Sequence, residues 1–326
     1  MSLFIAFLLA LQISLSQEIT ERSQLTRSIE REIFFYRFDD AVTILNQHKQ
    51  LVNSYRYSLY KAVIYFFRYF ADQPDSRNKS YMDSLIVPLQ KTLRDEDKIK
   101  AGNNSDDMLM LGGAYGFIGM AEYVKKNRYT ALKMADDARE ILEELLEKDS
   151  AAYDAYFGIG IYNHALSQPP AILRFILSIL GYSGDYETGI KQLKIVADKG
   201  KETKVQSILY LINHALFEDD HYKNIDPVFN DFPDDLKQSP MYCYKRLLFN
   251  YGLEKYEQVE PVFHELEKYK SPDYIYWRSK LYVAMALTKL KELNRAQLVL
   301  NEIQKSTYRF TGGMFYDFRE AIADLH

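Results

Sequence analysis

Ser239–Arg246 reads SPMYCYKR, and thirty-two residues further on Ser271–Arg278 reads SPDYIYWR. Serine followed by proline is the chemistry of a helix start. The hydroxyl can accept a bond from a free backbone N–H, and proline in the first helical position forfeits nothing, because its missing N–H would be unpaired there. Tyrosines at matching places then fall on the helix that follows. Two helices opened alike at that interval point to a chain built from repeated helical units.

Other echoes extend the pattern outward. Asn-His-Ala-Leu stands at 163–166 and again at 213–216, with a looser Asn-Tyr-Gly-Leu at 250–253. After each such helix comes a polar turn, and then a second helix with a fixed opening. The opening triplets are Phe38/Ala41/Leu45, Arg128/Ala131/Ala135, Tyr186/Gly189/Leu193, Tyr222/Ile225/Phe229, Tyr256/Val259/Phe263 and Leu293/Ala296/Leu300. Spacings of three and four put each triplet on one helix face, and a small or β-branched middle residue lets that face approach its partner helix. The last four middle residues recur every 34 to 37 positions. Between Ala41 and Ala131 there is room for one more pair, for which Tyr81/Ser84/Pro88 is the poorly matching candidate.

This pattern resembles the tetratricopeptide repeat (TPR), a helix–turn–helix unit of about 34 residues. The stretch LEKDSAAYDAYFGIGIY (146–162) is similar to the end of one such repeat and the start of the next, and NRYTALKMADDA (127–138) to a second helix. Tyr153–Asp185, with GYSGDYETG, is also similar to exported bacterial TPR proteins distantly related to the inclusion-body-clearance TPR family. The resemblance implies an all-α, TPR-like α-solenoid of about seven antiparallel helix pairs over 17–326. It further implies a concave groove that grips a peptide or protein. Arg128, Ile225 and Val259 depart from the residue types the family prefers. The Lys/Asn carboxylate clamp of chaperone-binding members is not evident.

In such an array the first helices line the groove. Tyr153, Tyr156, Tyr210, Tyr244 and Tyr276 fall on these helices, with Asn163, Asn213 and Asn250 near their ends. Tyrosine offers contact area with a hydroxyl at its tip, which suits recognition. The same tyrosines can instead pack between repeats, and the asparagines can tie helix to turn.

Composition bounds the function class. The 326 residues are 47% hydrophobic and 26% charged, with a net charge of −4 and no basic cluster. A nucleic-acid partner, which needs a cationic stripe to meet phosphates, is disfavoured. The first sixteen residues, MSLFIAFLLALQISLS, read as an export signal although no Lys or Arg precedes the apolar run. An exported chain with one cysteine, Cys243, suits a bacterial periplasm or envelope better than a eukaryotic secretory route. No later stretch is long enough to span a bilayer.

Catalytic signatures are sparse. The six histidines never form the i,i+4 pair with Glu of a helical zinc site, so no metal or cofactor is expected. His214 and His221, with Asp219 and Asp220 between them, read as a polar turn rather than ligands. GGAYGFIG (112–119) lacks the Lys-Ser/Thr of a phosphate loop, and its glycines are spaced to share one helix face. The sequence therefore predicts a non-enzymatic scaffold; an enzyme without a visible motif is the less favoured alternative.

One stretch breaks the register. SQPPAILRFILSILGYSGD (167–185) puts about fourteen extra residues between a first helix ending near Leu166 and a second starting near Tyr186. Pro169-Pro170 should start a short helix and Gly181 end it. Ten helical residues rise only about 15 Å, half a hydrocarbon core. Burial across the solenoid as a plug is the favoured expectation. Peripheral membrane or partner docking through Ile172, Phe175, Ile176 and Ile179 is the alternative.

Overall fold

Four turns of this chain close in the same way, at Tyr36, Lys126, Glu254 and Lys291. Each of these residues is left-handed, with φ of 58°, 69°, 58° and 61°. The next N–H then reaches back five residues: Arg37 to the Glu32 carbonyl at 2.8 Å, and Asn127 to Glu122, Lys255 to Asn250 and Glu292 to Leu287 at 2.9 Å each. This is the bond set that satisfies the orphan carbonyls of a helix end. Five positions beyond each left-handed residue comes the buried Ala41, Ala131, Val259 or Ala296. Turn and packing residue thus share one register, the one carried by the sequence triplets.

The computed structural model describes residues 20–72, 79–217 and 226–323. The expected signal at 1–16, His221, His326 and the pair Tyr222/Ile225 lie outside them. Among the described residues the chain is all helix, without a strand. Helix α1 covers 20–34, followed by α2 (Phe38–Gln47), α3 (Ser54–Ala71), α4 (Ser80–Arg94), α5 (Glu96–Gly102), α6 (Ser105–Val124), α7 (Arg128–Lys148) and α8 (Ala155–Ser167). Then come α9 (Ala171–Ile179), α10 (Tyr186–Lys199), α11 (Lys204–Phe217), α12 (Asp226–Asn230), α13 (Pro240–Gly252), α14 (Val259–Glu267), α15 (Asp273–Lys289), α16 (Leu293–Lys305) and α17 (Gly313–Ala323).

Successive helices pack on one another: α2 on α3, α3 on α4, α4 on α6, α6 on α7, α7 on α8, α8 on α10 and α10 on α11. The series continues through α11 on α13, α13 on α14, α14 on α15, and α15 on both α16 and α17. Helices two steps apart also meet, as α3 with α6, α6 with α8 and α13 with α15. Where α8 meets α10 the approach is backbone to backbone. A Cβ on Gly189 would lie 2.7 Å from the His164 nitrogen and 2.8 Å from the Gly160 oxygen. Gly112, Gly116 and Gly119 lie within α6 and face Leu142, Ala138 and Ala131 of α7, the packing role expected of them.

Two sequence details need correction. Ser239 does cap α13, its Oγ accepting from the Tyr242 N–H at 3.3 Å with Pro240 in the first helical position. Its counterpart Ser271 does not cap α15. That helix opens one residue later, at Asp273, and the extended Pro272 offers its carbonyl to Ile275 and Tyr276 instead. The triplet Tyr81/Ser84/Pro88 does fall on a second helix, α4, but in the wrong register. Its core face is Met82, Leu85, Ile86 and Leu89, and Ser84 is exposed.

Non-glycine residues in left-handed conformation carry a steric cost of roughly 1 kcal/mol. Lys126→Gly and Lys291→Gly, made at exposed turn positions, should therefore each stabilise the fold by about 0.5–1 kcal/mol. Urea unfolding measures this, and a midpoint that falls would mean the lysine side chains are needed in the turn.

Candidate functional site

Helix α1 is short and strongly two-faced. Leu25, Ile29 and Ile33 recur at four-residue steps and are almost fully buried, as is Phe34. They join a core formed with α2 and α3 but also with α11, α13, α14 and α15, far along the chain. Phe34 packs on Phe232 with ring centroids 5.5 Å apart, and Phe35 meets Tyr269 edge-on at 5.1 Å.

The polar residues of α1 are matched just as specifically. Arg22 Nη1 donates to Asp106 of α6 at 2.7 Å, and Thr26 Oγ1 pairs with Tyr60 of α3, also at 2.7 Å. Arg27 pairs with Asp235, and Gln206 of α11 donates to Glu30 at 3.1 Å. At the centre, Arg56 of α3, its side chain 3% exposed, donates to Glu202 at 2.5 Å and approaches Asp106 at 3.4 Å. The Tyr60 hydroxyl donates to the same Glu202 oxygen at 2.9 Å. Glu202 is held in turn by Asp154, whose Oδ1 accepts the N–H groups of Glu202 and Thr203 at 2.9 and 2.8 Å.

Burial shifts one acid and one phenol in this cluster. Glu30 is pushed up to about 7 by desolvation, against the opposing pull of Gln206 and Arg27. Tyr60 rises to about 12, again through burial first and the Glu202 charge second.

The tyrosines and asparagines predicted for a groove do not form one open surface. Tyr244 is buried beside Tyr36 at the α1–α2 turn. Asn163 donates to Gln192 of α10 at 2.9 Å, and the buried Asn250 donates to the Gln258 carbonyl at 3.4 Å. Of the two roles open to these asparagines, both bonds are internal ties. Asn213 is half-buried, with no bond from its Oδ1 among the described residues. Tyr153 falls not on a first helix but in the turn before α8, where it carries the Lys199 ammonium over its ring at 5.1 Å. Tyr276 stacks obliquely on Phe263 and reaches Glu267, and Tyr156 is half-buried.

Tyr210 belongs to a different cluster. Its hydroxyl lies 2.8 Å from His164 Nδ1, and His164 and His214, the two histidines of the Asn-His-Ala-Leu echo, stack edge-on at 4.6 Å. Tyr186 Oη meets His214 Nε2 at 2.8 Å, and Gln168 reaches His164 Nε2 at 3.2 Å. With Gln168 donating to Nε2, His164 would carry its proton on Nδ1 and donate it to Tyr210. Among the described residues no three His, Cys, Asp or Glu side chains converge as metal ligands.

The insertion rises directly from Gln168, and here the favoured expectation fails. No residue of α9 is buried. Ile172 is 80% exposed, Phe175 67% and Ile179 69%, with Ile176, Leu173 and Leu180 also outside. Only Leu177 is half-covered. The reason lies at the ends: Pro170 is extended at one, and Gly181 at the other turns left-handed at φ 88°, so the helix leaves and rejoins the body without lying down on it.

Sequence reasoning missed the role of Arg278, the last residue of SPDYIYWR. Its guanidinium lies 5.8–5.9 Å from the ring centroids of Tyr244, Tyr274 and Tyr282. Arg246, in the equivalent place of SPMYCYKR, lies over Phe229 and Phe249. The shared arginine of the two quoted stretches was the available signal. Burial and the Arg278 charge hold the neighbouring Lys245 down to about 8.

No family model matches the chain, and neither does any curated protein or solved structure.

Removing Arg56 would leave Glu202 and Asp106 with Arg22 alone as their cation, 2.7 Å from Asp106 but 3.9 Å from Glu202. Arg56→Met should cost roughly 3–5 kcal/mol in chemical denaturation; a loss below 1 kcal/mol would mean the pair is dispensable.

The raised Glu30 has its own pH signature. An unfolded chain ionises this carboxyl near 4.5 and the folded protein near 7. Its protonated form therefore favours the fold at low pH, and that contribution is lost as pH rises from about 4.5 through about 7. Each pH unit between the two ionisations is worth about 1.4 kcal/mol, so the expected loss is roughly 3 kcal/mol. Glu30→Gln should flatten this limb of the stability–pH curve, and an unchanged curve would count against the assignment.

Proposed function

We propose that the protein is a non-enzymatic interaction scaffold of TPR-like helix pairs, exported to the cell envelope, that engages its partner through α9. One observation carries this reading: a helix of large apolar side chains, none of them buried, held outside an otherwise well-packed frame. Contiguous exposed apolar patches on folded proteins mark interaction sites.

Three further features support it. The recurring left-handed turn, with its small residue five positions on, agrees with the repeat register of a TPR-like array. The interior polar groups, from Arg56–Glu202 to Asn163–Gln192, join helix to helix. And α1 covers first helices of that array, so on this reading the concave groove holds the chain's own segment. A protein or peptide seated there would have to displace Leu25, Ile29, Ile33 and Phe34. The apolar run at 1–16 and the single buried Cys243 favour the exported location.

Replacing residues 169–182 with a short turn of the length used at Lys291 tests the proposal. The shortened protein should keep its helical spectrum and its melting temperature to within a few degrees, because α9 packs on almost nothing. Fractionation and crosslinking should find the full chain associated with the envelope and the shortened protein released from it. Undiminished association, or turnover of a substrate by the purified protein, would overturn it.

A further inference from the structure

We infer that the surface α9 docks on is a lipid bilayer, into which the helix sinks lengthwise at the headgroup–acyl boundary. The inference rests on the reading of α9 as the docking element, and it begins from how the side chains are distributed around the helix. At 3.6 residues per turn, Phe175, Ile179, Ile172, Ile176, Leu180, Leu173 and Leu177 follow one another across an arc of about 200°. Arg174 and Ser178 occupy the remaining stripe, where Arg174 Nη1 reaches back to the Ser167 carbonyl at 3.3 Å.

That arc suits lipid better than protein on two counts. A nine-residue helix about 14 Å long and 10–12 Å wide presents roughly 300 Å² over it. A stable interface between two protein surfaces, a second copy of this chain included, needs about 800 Å² from each. The arc also contains no polar side chain, whereas protein interfaces carry about one hydrogen bond per 100–200 Å² to fix register. A bilayer surface requires neither the area nor the register; it takes a helix whose apolar face enters about 5–10 Å while a polar stripe stays in the headgroups.

The surroundings match such a seat. Tyr182, on the arm returning from α9, lies within electrostatic reach of Tyr129 at the start of α7. Tyr129 is 75% exposed, and Tyr123, at the end of α6, is exposed as well. Tyrosines with an apolar ring and a polar tip are the residues that collect at membrane–water interfaces. Exposed Lys126, Arg128 and Lys133 flank Tyr129, but Asp136 and Asp137 lie beside them, so the local charge is mixed. Apolar burial by α9, and not attraction to acidic headgroups, therefore drives the docking.

Flotation of the full chain with phosphatidylcholine vesicles, with and without phosphatidylglycerol, tests this. The protein should float with both, phosphatidylglycerol should tighten binding by no more than a few-fold, and 0.5 M salt should leave most of the binding in place. Ile172→Asp and Ile176→Asp should each weaken it at least tenfold without altering the melting temperature by more than a few degrees, since neither side chain is buried. Phe175→Trp should retain binding and shift its emission to the blue on vesicles. Absence of flotation at millimolar lipid would overturn the inference, as would binding that survives both aspartates. Binding that needs phosphatidylglycerol and vanishes in salt would also overturn it, because it would place the contact on Lys126 and Arg128. If vesicles fail while the 169–182 replacement still abolishes envelope association, α9 keeps its docking role and only the lipid assignment is lost.

Discussion

The Arg56–Glu202 pair is the point on which the arrangement of this chain turns. A buried guanidinium and a largely covered carboxylate are stable only together and with their remaining bonds supplied. Here Tyr60 and Asp106 complete the set around them. Because Arg56 stands on α3 and Glu202 at the threshold of α11, one contact joins the first fifth of the chain to its second half. Asp154 fixes the turn that carries Glu202, so the start of α8 is drawn into the same constraint. Helix α1 then lies over this node, its Arg22, Arg27 and Glu30 matched one by one. Nothing in the α1 contacts is generic hydrophobic collapse alone, since a shift of one turn would break several polar pairs at once.

How much of this was legible in the sequence depends on the range of the interaction. Local chemistry was readable: the Ser239–Pro240 start, the buried Ala41, Ala131, Val259 and Ala296, and the ends of the insertion at Pro170 and Gly181 all follow from spacing and backbone preference. The left-handed turn residues were not, because Tyr36, Lys126, Glu254 and Lys291 share no side-chain chemistry. Their common conformation is imposed by the two helices they join. Longer-range features were less visible still. The step from Leu25 to Ile33 announces an amphipathic helix, but periodicity says nothing about which surface receives it. The tyrosines expected to face a partner were partly enclosed for this reason; Tyr244 is buried within electrostatic reach of Tyr36.

The same distinction explains α9. An apolar ten-residue run ordinarily belongs inside, and burial was the reasonable expectation. What decides otherwise is the geometry of its two ends together with the prior claim of other residues on the interior. The α8–α10 interface is closed by Gly160 and Gly189 in backbone contact, and the ground beneath Gln168 is filled by His164, His214, Tyr186 and Tyr210. With that ground taken, the side chains of the insertion remain outside.

The placement of α1 also has a bearing on how the chain comes into being. In a simple stack each unit meets only its neighbours and can form as it is made. Here Arg27 belongs with Asp235, 208 positions downstream. At ordinary synthesis rates that interval is roughly 10–40 s. Throughout that time Leu25, Ile29, Ile33 and Phe34 have α2 and α3 beside them but lack the part of their core that α13, α14 and α15 supply, so α1 settles fully only after those helices are made. Until the residues around Asp235 and the helices after them exist, that apolar face of α1 stays partly uncovered in the young chain.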